Sequence, residues 1–189
     1  MFGLTAGALA QGSINLDNSG IRPGLALHTA GNYYSGIYGI QVYILNAALP
    51  NNINIFSGLN SSIAFNNLIV DGYTLQATFT GQTLPADKAG TFILGEIDMP
   101  GVSPAGSSPS IALVAWVGSA PSFTAASVGG VITFVNPTAD YTQIPKPTPK
   151  SLSGWDSLNQ DLIMAVPEPS MISLTGIGAA ALMIVRRRK

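Results

Sequence analysis

The sequence predicts an all-β fold, a β-sandwich of jelly-roll-like type in a single domain, with one C-terminal hydrophobic helix. Three observations carry this. The stretch Tyr73-Thr-Leu-Gln-Ala-Thr-Phe-Thr80 alternates strictly, placing Tyr73, Leu75, Ala77 and Phe79 on one face and four polar residues on the other. Two runs, Ile111–Val117 and Val131–Val135, are β-branched and aromatic, as expected of strands buried on both faces. Between residues 11 and 166, Gly and Pro interrupt so often that no stretch sustains helical apolar spacing with caps. Many short strands separated by frequent turn signals fit a sandwich.

Taken in order, residues 1–10 (Met-Phe-Gly-Leu-Thr-Ala-Gly-Ala-Leu-Ala) read as the remnant of a secretory signal peptide. An apolar segment leads to small residues at Ala8 and Ala10, the A-x-A pattern for cleavage before Gln11. The positively charged leading segment of such a signal is expected upstream of Met1. The domain then spans 11–166. Ile37–Leu45 predicts a half-buried strand with Ile40, Val42 and Ile44 inward, Gln41 outward and the Tyr43 hydroxyl in water. Ile63–Val70, Thr91–Ile97 and Leu162–Val166 are weaker strand candidates. Asp71-Gly72 predicts a type I′ hairpin joining Ile63–Val70 to Tyr73–Thr80, because that turn needs positive φ at both centres. Turn formers bound the two buried runs: Ser107-Ser108-Pro109, Gly118–Pro121, Gly129-Gly130 and Asn136-Pro137. Ile144-Pro-Lys-Pro-Thr-Pro-Lys150 is a polyproline-like connector, outside any ladder or helix, that crosses between sheets or straps an edge.

Composition narrows the function classes. The chain is 47% hydrophobic and only 9% charged, against about 25% charged in average soluble proteins. Outside the last four residues, four basic side chains (Arg22, Lys88, Lys146, Lys150) face nine acidic ones, a balance near −5. No basic face for nucleic acid is present. With no cysteine in the sequence, a disulfide framework, a thiolate metal site and a cysteine nucleophile are excluded.

Chemistry-bearing residues are sparse. His28 is the single histidine, with no G-x-S-x-G elbow or H-E-x-x-H helix beside it, so it reads as a loop or strand residue. Glu96 and Asp98, two apart, project from one face of a strand, as glycosidase and calcium-site carboxylates can. No D-x-D-x-D-G loop supports calcium, and a solvated edge that discourages strand pairing is the plainer reading. Tyr33 and Tyr34 could offer a sugar-stacking platform, or simply pack over one end of the sandwich. Asn60-Ser-Ser62 is a formal glycosylation sequon. Catalytic, metal and cofactor roles are assigned to no residue.

The last residues have three parts. Pro167-Glu168-Pro169 is a rigid turn through which no helix can run. An uncharged apolar run, Met171–Val185, follows; it falls short of the roughly 20 apolar residues of a comfortable membrane span. Arg186, Arg187, Arg188 and Lys189 then form a basic block that the positive-inside rule keeps cytoplasmic, and this block favours a membrane helix over a core helix. Gly176-Ile-Gly178-Ala-Ala-Ala181 mimics a dinucleotide-binding turn but lacks the acid expected about 20 residues later. The tail 167–189 resembles the PEP-CTERM sorting signal of exported bacterial proteins. The domain is loosely similar to the bodies of small proteins of that kind, through Ala10-Gln11-Gly12, Gly72-Tyr73-Thr-Leu-Gln76 and Val114-Ala115-Trp116. The resemblance implies an exosortase-type membrane protease as partner, an inner-membrane precursor, cleavage near the Pro-Glu-Pro turn, and delivery to the cell surface or extracellular polymer. The expected role is structural or interactive, with extracellular polysaccharide a candidate partner. A carbohydrate-binding module, or a polysaccharide-acting surface enzyme using Glu96 and Asp98, is the alternative.

Overall fold

The computed structural model describes residues 12–21, 23–27, 32–47, 51–102 and 104–165. In chain order these form β1 (Gly12–Asp17), β2 (Leu25–Leu27), β3 (Gly36–Leu45), α1 (Ser61–Val70), β4 (Thr74–Leu84) and β5 (Ile93–Met99). They continue with β6 (Ser110–Val117), β7 (Gly129–Val135), β8 (Ala139–Asp140), α2 (Ser153–Leu158) and β9 (Leu162–Met164). The described chain is mostly β. Strands β4-β3-β6-β7 form one antiparallel sheet and β5-β1-β8 a second, while β2 and β9 pair in parallel. The signal-like residues 1–10 with Ala8 and Ala10, His28, and the tail 167–189 with the expected C-terminal helix lie outside the described residues. Among the described residues no helix is long and apolar enough to cross a membrane.

One core lies between the inward faces of all three sheets. Ile14, Leu16, Ile97 and Met99 enter it from β1 and β5, and Ile40, Val42, Ile44, Ile111, Leu113, Ile132 and Phe134 from the four-stranded sheet. Trp155 of α2 closes one end, stacked on Phe92 at 5.9 Å and on Phe134 at 6.2 Å. Its indole N–H donates to the Gln160 carbonyl at 2.9 Å, so the polar tip is satisfied. Aromatic area of this kind dominates burial energetics.

The outer face of the four-stranded sheet is covered too, as the two-sided runs of β6 and β7 require and against the half-buried expectation for Ile37–Leu45. A second cluster unites Tyr43, Ala112, Val114 and Trp116 of the sheet with Phe56, Ala64, Leu68, Tyr73 and Phe123. Gln41 does point to the outer face, as expected, but is buried there, and the Tyr43 hydroxyl donates to Gln41 Oε1 at 3.3 Å instead of to water. The cover is α1, and here the strand expectation for Ile63–Val70 fails. Asn60 caps the helix, its side chain accepting from the Ser62 N–H at 3.0 Å, and Ala64 and Leu68 face the sheet at i, i+4 spacing. The β-branched Ile63, Ile69 and Val70 that suggested a strand sit on the exposed side. The α2 helix is likewise unannounced; Asn159 ends it in the left-handed region.

Asp71-Gly72 is accordingly a helix stop, not a hairpin. Tyr73 N–H donates to the Leu68 carbonyl and Gly72 N–H to that of Ile69, with Gly72 at φ 89°, which is a Schellman arrangement. Both motifs want glycine at positive φ, so the dipeptide alone does not separate them. The alternation of Tyr73–Thr80 is also broken. Between Val42 and Tyr43 the β3–β4 register skips Gln76, a bulge that reverses the faces. Ala77 and Phe79 pack on the main core, Tyr73 joins the outer cluster, and Leu75 is exposed.

Candidate functional site

Glu96 and Asp98 do share one face of β5, opposite Asn15 and Ser13 of β1, while Ile97 and Met99 point into the core. The Pro-rich connector delivers a cation to them. Lys146 Nζ lies 2.7 Å from Glu96 Oε1 and 4.0 Å from Asp98 Oδ1, and 3.6 Å above the centre of the Tyr141 ring. All three charged side chains are about half exposed. The connector does enter a ladder at its end: Asn15 N–H donates to the Lys150 carbonyl at 2.7 Å, through a parallel bridge between Ile14 and Lys150. It thus straps the β5-β1-β8 sheet. The carboxylates hold this strap through a lysine on an open strand face. Among the described residues no group of three or more His, Cys, Asp or Glu could hold a metal ion.

Tyr33 and Tyr34 are engaged separately. The Tyr33 ring is seated against the backbone of Gly24 and Gly90, neither of which leaves room for a side chain beside it, and its outer side is open to solvent. Tyr34 turns toward the main core and donates its hydroxyl to the Ile37 carbonyl at 2.6 Å. Burial raises its pKa, an effect partly offset by a backbone hydrogen bond from Gly118. Asn60, the sequon residue, is the cap of α1.

A concave site appears elsewhere. A groove of about 600 Å³ opens between the loop ahead of α1, the outer edge of β7, and the segment running from α2 into β9. Asn54 anchors the loop: its side-chain oxygen accepts from the N–H groups of Phe56 at 3.2 Å and Thr133 at 3.3 Å. Asp161 fixes the other wall by accepting the Gly24 N–H at 2.9 Å. Gly130 lies under β9 so closely that a methyl there would overlap the Ile163 carbonyl. The sequence assigned no binding role to these residues, because they come from three segments that only the fold brings together. The Asn-rich stretch Asn51–Asn54 was the available signal.

No family model, curated protein or solved structure matches the chain. The residues themselves therefore carry the functional argument.

Proposed function

We propose that the chain is an exported, exosortase-sorted protein of the cell surface or extracellular polymer, with a structural or interaction role and no catalysis. The observation that carries it is the tripartite tail: Pro167-Glu168-Pro169, the uncharged Met171–Val185 run, and Arg186–Lys189. On this reading the membrane protease cleaves near the turn and releases a β-sandwich of jelly-roll type, whose opposed sheets and shared core support that finer fold assignment. The basic block holds the precursor in the inner membrane, since moving each such charge to the bilayer centre costs ~2.5–3.5 kcal/mol on insertion scales. The signal-like residues 1–10 agree with export.

Replacing Pro167, Glu168 and Pro169 by alanine is expected to leave the protein membrane-bound and unprocessed. Mass spectrometry of the mature surface protein is the decisive measurement. Peptides from Ile172–Val185 persisting in the mature form would make the segment a plain anchor and sink the sorting proposal.

A further inference from the structure

We propose that the groove between the loop ahead of α1, β7 and residues 159–165 binds a neutral, hydroxyl-rich ligand of short-saccharide size. Its volume of about 600 Å³ lies within the ~300–1,000 Å³ of ordinary ligand pockets. Among its lining residues Asp161 alone is ionisable, and one of its oxygens already holds the Gly24 N–H. An anion would meet that carboxylate with no Lys, Arg or His to pair it. The remaining polar groups are amides and hydroxyls, which match sugar hydroxyls as both donors and acceptors.

The edge of β7 supplies a directed donor. Gly129 N–H donates outward to the Ala165 carbonyl at 3.1 Å, Thr133 N–H to Asn54 at 3.3 Å and Val135 N–H to Asn52 at 2.7 Å. The two-residue repeat of a strand therefore aims the Val131 N–H the same way, into the groove. Because Ala165 and Asn54 occupy the ladder on either side, an extended peptide has no room to add as a strand. A compact ligand does. Leu59 and Ile163, 44% and 40% exposed, offer apolar walls for the C–H face of a pyranose. Ser61, the first residue of α1, also lines the groove, its Oγ buried and without a hydrogen-bond partner.

The ligand class follows from the groove alone, so this proposal stands or falls separately from the sorting of the tail. The test is a titration of the full-length, ¹⁵N-labelled protein with α-1,4- and β-1,4-linked glucose hexasaccharides, with a hexauronate and a neutral hexapeptide as controls. A neutral hexasaccharide is expected to shift the Val131 amide saturably, with the hexauronate at least about tenfold weaker. Ser57→Trp, which crowds the exposed mouth, should weaken binding at least about tenfold. Gln160→Ala, which removes an exposed amide, should weaken it as well and serves if the first variant does not fold. The proposal is overturned if neither neutral sugar shifts Val131 at about 10 mM, or if the hexauronate binds as tightly. Binding unaltered in every folded variant, or occupation by the peptide alone, also overturns it.

Discussion

Gly39 and Trp116 stand directly opposite each other in the β3–β6 ladder, and the indole of Trp116 fills the space beside Gly39 where a side chain would stand. A methyl group at Gly39 would overlap ring carbons Cε2 and Cζ2. The indole N–H is fixed by donation to the Ala120 carbonyl at 2.9 Å, so the ring cannot simply swing aside. Gly39→Ala is therefore expected to destabilise the domain by about 1–3 kcal/mol through overpacking. Urea unfolding followed by tryptophan fluorescence measures this, and an unchanged midpoint would contradict it.

Trp155 makes the complementary case. It is completely buried between Phe92 and Phe134, with interplanar angles of 19° and 15°. Trp155→Ala should cost about 3–5 kcal/mol. Trp155→Phe should cost less, since it keeps a ring and loses chiefly the donor to the Gln160 carbonyl. Calorimetric Tm values rank the two variants; equal losses would mean that the hydrogen bond, not the volume, matters most.

Alkali should unfold the domain. Burial pushes the Tyr38 pKa up to about 12, and burial also raises those of Tyr43 and Tyr73. Tyr73 keeps its hydroxyl on Ser110 Oγ at 2.7 Å. An unfolded tyrosine ionises near 10, so above that pH the unfolded state sheds protons that the folded state retains. The stabilisation from Tyr38 is complete below about pH 10 and is lost as pH rises through the folded value of about 12. Tyr38→Phe should flatten this loss. A chemical-denaturation series from neutral pH upward checks the slope.

Lys146 holds the connector on β5, but its charges are half exposed. Lys146→Ala should thus change stability by only about 0–1 kcal/mol, and by less still in high salt. A larger loss that salt does not screen would show that the ammonium over the Tyr141 ring, rather than the carboxylate pairs, locks the strap.

If the domain performs no catalysis, replacing His28, Glu96 and Asp98 by alanine leaves its surface role intact. Glycan hydrolysis that is measurable in the native protein and abolished by Glu96→Ala would reverse that reading.

What the sequence determined by itself were the strands whose apolar pattern is dense enough to be read without neighbours. Ile111–Val117 and Val131–Val135 are two-sided runs, and they became β6 and β7 buried on both faces. Glu96 and Asp98 share a face because a strand repeats every two residues, whatever surrounds it. Local chemistry left other points open. Asp71-Gly72 satisfies a hairpin and a helix stop equally, and the strand-like side chains of Ile63, Ile69 and Val70 concealed α1. Its signal was Asn60 at the cap with Ala64 and Leu68 one turn apart, and only the apolar outer face of the sheet made that short pattern decisive. The bulge at Gln76, the burial of Gln41 and the groove at Val131 belong to the tertiary structure alone. Each depends on which segment packs against another distant in sequence, and that pairing is set by the shape of the whole core rather than by the spacing of neighbouring residues.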